Sequence, residues 1–150
     1  MGAIADYFAA EHRSCDEVFA TAEEAAQTGD LAGCQARFQQ FHAAMEHHFR
    51  QEEEGLFPAF EQATGNTMGP TQVMRLEHQQ MRQALAEMAQ ALAGGDLDDL
   101  LGQSETLLIL MQQHNIKEEQ MLYPMCDRAL SAAAGSVIQD MRDLPLGQPT

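Results

Sequence analysis

Six residues of a 150-residue chain have types and spacing that suit metal chemistry: His12, His48, Glu52, His78, His114 and Glu118. Histidine and glutamate four residues apart lie on one helix face about one turn apart, so His48/Glu52 and His114/Glu118 can each grip a cation. Four imidazoles and two carboxylates exceed the four ligands of a tetrahedral zinc. They suit two metals, each held by two histidines, with both carboxylates bridging. Mixed nitrogen and oxygen ligation with open positions favours redox iron, then manganese, with zinc or nickel as adventitious substitutes.

These residues are related by one constant shift of 66 positions, which carries His12 onto His78, His48 onto His114 and Glu52 onto Glu118. The same shift superposes Glu11 on Glu77, Gly29-Asp30-Leu31 on Gly95-Asp96-Leu97, Met45 on Met111, Glu53 on Glu119, Leu56 on Leu122 and Pro58 on Pro124. The chain therefore reads as two helical hairpins related by an approximate two-fold axis.

The elements that must position them are helices. Glycine and proline cluster around residues 28–30, 65–70 and 94–96, between segments rich in Ala, Gln, Glu, Met and Leu. Four helices are predicted at 4–28, 31–64, 70–93 and 97–133, with a short helical turn at 136–143 and a loose tail over 144–150. The fold class is all-α: an up-down-up-down antiparallel four-helix bundle over residues 1–135, followed by a C-terminal short helix or tail over 136–150.

Each helix carries one apolar stripe at spacings of three and four. The stripes run through Phe8, Cys15, Phe19, Ala22 and Ala26; through Cys34, Phe38, Phe41, Met45 and Leu56; through Met74, Met81, Leu85, Met88 and Leu92; and through Leu100, Leu107, Met111, Leu122 and Met125. The six polar residues interrupt these stripes where Leu or Met is expected. An ionised carboxylate buried without a partner costs several kcal/mol after relaxation, against a domain stability of only about 5–15 kcal/mol. No Lys or Arg stands on the stripes to offset that cost.

Composition narrows the partners. Eight Lys and Arg against 23 Asp and Glu give a formal charge of −15, which disfavours nucleic acid and anionic membrane surfaces. No apolar run approaches the roughly 20 residues of a membrane span, and the N-terminus does not read as a secretory signal. Cys15, Cys34 and Cys126 are an odd count without C-x-x-C spacing, so reduced thiols and a cytoplasmic location are expected.

The pattern resembles the hemerythrin-like, or HHE cation-binding, family. The resemblance rests on His12, His48-x-x-x-Glu52 followed by Leu56-Phe57-Pro58, Glu77-His78, and His114-x-x-x-Glu118 followed by Leu122-Tyr123-Pro124, and it covers residues 4–130. A ferritin-like di-iron bundle needs Glu-x-x-His on two helices, and no Glu stands three residues before any His here. The resemblance implies two iron ions per chain, one on His12 and His48 and the other on His78 and His114, bridged by Glu52, Glu118 and an oxo or hydroxo group. Oxygen-carrying members have a second histidine one turn after the first on the third helix, where this chain has Arg82. They also use an Asp five residues after the last histidine, whereas here Glu118 stands four after His114.

The four-His, two-Glu set resembles the iron–sulfur-repair and iron-sensing branches. It implies fewer protein ligands per iron and more room for exogenous molecules, which points away from simple reversible oxygen carriage toward oxygen, peroxide or nitric oxide chemistry. The absence of any further catalytic constellation favours a carrier- or sensor-type protein that binds O2, NO or peroxide at an open iron position, with a reductase as a further partner. A redox enzyme, an iron–sulfur-cluster repair or iron-donor factor, and an iron-handling protein are the alternatives. Turnover and oligomeric state stay open.

Other residues are weighed beside the site. Asp16 and Arg82 are repeat mates of opposite charge, read either as an ion pair or clamp on the ligating histidines, or as solvated flank residues. Tyr123 is expected mainly to pack the core, with a redox or hydrogen-bonding role as the alternative. Cys15 is expected near the pocket, one turn from His12, or as a small core hydrophobe. His42 and His47 are expected at the surface, with one as a fifth imidazole the alternative, and Glu53 and Glu54 are expected to be solvated. The prolines are expected to kink or restart their helices, and the methionines mostly to fill the core, with those on the stripes making the pocket oxidation-sensitive as the alternative.

Overall fold

A computed structural model describes residues 2–144, all of them helical, turn or loop and none in a strand. Helix α1 (Ala3–Gln27) runs into α2 (Leu31–Arg50), and α4 (Pro70–Ala93) into α5 (Leu97–Lys117). The short α3 (Phe57–Thr64), α6 (Tyr123–Ala129) and α7 (Ala134–Arg142) complete the helices. α1 packs along α2, α4 along α5, α1 against α5 and α2 against α4, which is the four-helix bundle predicted from the stripes.

The two hairpins turn by the same device. Gly29 (φ 78°) and Gly95 (φ 70°) take the left-handed conformation that side chains disfavour. Asp30 and Asp96 follow, each accepting from the backbone N–H three residues on, Gly33 and Asp99, at 2.9 Å. Helix α1 is capped from a distance: the Asp127 carboxylate of α6 accepts from Ile4 N at 2.9 Å and Ala5 N at 3.1 Å. Its charge also suits the positive end of the helix dipole.

The predicted second and fourth helices, expected to kink or restart at Pro58 and Pro124, instead widen just before them. Wide π-helical turns occupy Gln51–Leu56 and Glu118–Leu122, closed by Phe57 N to Glu52 O and Tyr123 N to Glu118 O. Pro58 and Pro124 come next, and a proline ring neither donates nor tolerates the carbonyl four residues back. Widening to five-residue bonds accommodates both prolines without breaking the helix.

The extra residue advances the phase of the stripe. In α6, just beyond the second π turn, the buried residues are Tyr123 and Cys126, and Met125, predicted on the stripe, is only half-buried. The last predicted helix ends at Ala129, and α7 begins at Ala134, slightly before the expected turn. α7 lies over the first π turn, where a Cβ on Gly55 would stand 2.8 Å from Met141 Cγ. The expected loose tail lies beyond the described residues from position 145 on.

The core is split. One cluster gathers Phe19, Phe38, Phe41, Phe49, Leu85 and Leu107 around the hairpin turns, and the other gathers Ile4, Phe8, Leu56, Phe57, Phe60 and Leu122 near α3, α6 and α7. The six polar stripe residues fall between the two clusters along their helices.

Candidate metal centre

The structure brings all six residues together in the bundle interior: His12, His48, His78 and His114 are at most 4% exposed, and Glu52 and Glu118 are fully buried. Ligand-capable atoms of Glu52, His78, His114 and Glu118 lie within 4.8 Å of one another, as do those of His12, His48 and Glu118. Glu118 belongs to both groups, and Glu52 Oε1 also lies 3.3 Å from His48 Nε2.

Each imidazole has an outer carboxylate. Glu119 accepts from His12 Nδ1 at 2.6 Å, Glu53 from His78 Nδ1 at 2.6 Å, and Glu77 from His114 Nδ1 at 2.9 Å. Glu11 stands 3.9 Å from His48 Nδ1. A proton committed to the outer carboxylate leaves the inner Nε2 as a lone pair.

Those lone pairs face carboxylate oxygens. His78 Nε2 is 3.0 Å from Glu52 Oε1, His12 Nε2 is 3.1 Å from Glu118 Oε1, and His114 Nε2 is 3.2 Å from Glu118 Oε2. Both nitrogens of His48, Nε2 of His114 and Oε2 of Glu118 have no hydrogen-bond partner despite complete burial. Acceptors aimed at acceptors in a dry interior repel unless a cation lies between them. The donor set therefore fits metal ions.

The electrostatics show the same demand for positive charge at the carboxylates, which protons on the histidines meet in the metal-free site. Burial drives His48 and His114 toward neutrality, yet the carboxylates overcome it: Glu52, Glu11 and Glu118 hold His48 well above its ordinary value, and Glu118 with Glu77 and Glu52 lifts His114 to about 10. Burial and the neighbouring Glu118 raise Glu52. Burial opposes ionisation of Glu118 too, but His114 and further hydrogen bonds pull it well below the carboxylate range.

The family comparison agrees with this geometry. Residues 3–142 match the family model described as the hemerythrin HHE cation binding domain. The chain belongs to that family. No curated protein and no solved structure matches it. Within the hemerythrin fold of this chain the histidines and glutamates occupy the bundle interior, with a cavity of about 10 Å³ beside them lined by His12, Cys15, Met45, His48, Met81 and Asn115 among others.

Several of the surrounding residues take places other than those predicted. Tyr123 is buried as core, but its hydroxyl also reaches the site, 2.7 Å from Glu52 Oε2, 2.7 Å from Glu118 Oε1 and 3.1 Å from His12 Nε2. Burial, then Glu118 and Glu52, push its phenol well above the usual value. Glu53 is not solvated: it accepts from His78 and from Arg82, which outweigh burial and lower it to about 2. Glu54 is exposed and paired with Arg50.

Arg82 and Asp16 form no pair; Arg82 grips Glu46 and Glu53, and Asp16 is exposed. Cys15 is buried and lines the cavity, as do the stripe methionines Met45, Met81 and Met111. His42 is buried rather than at the surface, its ring 5.4 Å from that of Phe38 and outside the site. His47 is half-buried beside Gln51, also outside the six.

Sequence reasoning assigned no role to Glu11, Glu77 and Glu119. The signal was present, because Glu11/Glu77 and Glu53/Glu119 are all repeat mates at the same offset as the ligands.

Proposed function

We propose that the chain is a non-haem di-iron protein in which His12 and His48 hold one iron, His78 and His114 hold the other, and Glu52 and Glu118 bridge them. Inward lone pairs facing buried carboxylate oxygens, with no Lys or Arg buried among the described residues, carry this reading. Iron would supply an open position where a small oxidant such as O2, NO or peroxide binds and accepts electron density.

The chain's own part is orientation and exclusion. Glu53, Glu77 and Glu119 fix the Nδ1 protons and so present Nε2 inward. Phe8, Phe49 and Phe57 wall the histidines with ring contacts of 5.5 Å to His48 and of 4.3 and 5.7 Å to His78, keeping bulk water away. The cavity of about 10 Å³ admits a molecule of about water size and no organic substrate, which favours a carrier or sensor of small molecules. The protein is expected in the cytoplasm, with a reductase as partner.

The test is the optical spectrum of anaerobically reduced, iron-loaded protein before and after O2, with metal analysis of the same sample. Two irons per chain and a reversible oxygen-dependent absorption band are expected. Irreversible oxidation would overturn the carrier or sensor role, and fewer than two irons would overturn the two-metal site.

A further inference from the structure

The Tyr123 phenol faces more acceptors than it can serve. Its hydroxyl has one proton, yet Glu52 Oε2, Glu118 Oε1 and His12 Nε2 all lie within 3.1 Å of it. The Nδ1 proton of His12 is engaged by Glu119, so Nε2 offers a lone pair and does not donate to the phenol oxygen.

The spacings are those of metal ligands. Donor atoms about 2.1 Å from one metal and at right angles to each other lie about 3 Å apart. Tyr123 Oη, His12 Nε2 and Glu118 Oε1 form a triangle with edges of 2.7, 3.1 and 3.1 Å. Three donors at such distances, in a fully buried site, outline one face of a coordination shell.

The other hairpin lacks this face. The repeat mate of Tyr123 is Phe57, whose ring stacks on His78 at 5.7 Å and 24° and offers no donor. The π turn makes the placement possible: it sets residue 123 one bond pattern beyond Glu118, so the ring lies under the same helix face as the carboxylate five residues earlier.

The geometry points to Tyr123 as a protein ligand of the metal held by His12 and His48, making the two metal positions chemically unequal. Its proton leaves to solvent as the metal binds, as it does for other protonated ligands. The His12/His48 position then has one protein donor more than the His78/His114 position.

The inference rests on the two-metal reading, and the experiment separates them. Oxidised, iron-loaded protein is analysed for metal and then by resonance Raman spectroscopy, in the wild type, in protein carrying ring-deuterated tyrosine, and in Tyr123→Phe and Tyr7→Phe. The chain has only two tyrosines, and Tyr7 accepts from Gln51 at its hydroxyl, so Tyr7→Phe is the control. Expected are ring modes of a metal-bound phenolate that shift on deuteration, persist in Tyr7→Phe and vanish in Tyr123→Phe while two irons remain. Two irons with no tyrosine-derived modes in the wild type, or modes that survive Tyr123→Phe, would overturn the ligand role and leave the site reading intact. Fewer than two irons in the wild type would overturn both.

Discussion

The surroundings of His12 and His78 occupy equivalent positions in the internal repeat, keep the same orienting and facing glutamates, and differ in the rings and charges around them. His78 is packed between Phe49 and Phe57, and Glu53, which orients it, is itself gripped by Arg82. At the equivalent places around His12 stand Asn115, Tyr123, Glu119 and Asp16. The pair His48 and His114 differs in the same direction: Glu77 lies 2.9 Å from His114 with Lys117 on its other oxygen, whereas Glu11 lies 3.9 Å from His48 and Gln51 replaces the lysine. One position is flanked by Phe49 and Phe57 and charge-compensated by Arg82 and Lys117; the other is bordered by an anionic groove that includes Asp16, Glu23 and Glu119.

On the proposed two-metal reading, similar ligands in unlike surroundings should hold the metals with unlike strength and access, because the carboxylates behind the histidines tune both. Asn115 is where access is expected. It lines both the inner cavity and the outer groove between α1 and α5, where its repeat mate Phe49 is fully buried.

The comparison can be broken outright. Glu118 belongs to both candidate metal groups, so Glu118→Ala is expected to abolish binding of both metals, read by metal analysis after loading and desalting. Loss of one metal alone would show that the two positions are independent.

The difference in charge compensation is sharpened by Arg82→Met, which frees Glu53 to swing from His78. Metal affinity at the His78/His114 position is expected to fall roughly 10–100-fold, with the other position unchanged, in a competition titration against a chelator. Asp16→Asn should leave both affinities in place, since Asp16 is exposed and accepts from neither histidine.

Asn115→Phe tests the difference in access by giving α5 the aromatic residue that α2 already has. Two metals should remain, and the stopped-flow rate of azide or O2 binding should fall several-fold. An unchanged rate would place the entrance elsewhere.

The smallest effect is in pH dependence without metal. His114 is raised from 6.5 to about 10, so its protonation stabilises the metal-free fold fully below 6.5, and that contribution is lost as pH rises from 6.5 through about 10. Metal-bound imidazole is already unprotonated and carries no such term. The Tm gap between loaded and chelated protein should therefore widen by on the order of a few °C over that range.

Much of this was legible in the residues. Phe8, Cys15, Phe19, Leu85 and Leu107 repeat at three and four, and burying that stripe sets the helices. The six polar interruptions stood out because apolar neighbours on both sides fix their phase. What lies beyond the π turns was not legible, because proline announces a disturbance without saying whether the helix breaks, kinks or widens. The widening moved Cys126 into the core and carried the Tyr123 hydroxyl to the carboxylates. Glu53 was read as solvated from one helix's phase, yet its partners His78 and Arg82 come from α4, across a contact that periodicity within α2 cannot report.

The central claim is that two metals sit between these histidines. Crystals of the iron-loaded chain, measured on both sides of the iron absorption edge, would test it most directly. Two anomalous peaks are predicted, one within ligand distance of His12 and His48 Nε2 and the other of His78 and His114 Nε2, with Glu118 touching both. A single peak, or peaks away from these nitrogens, would contradict it.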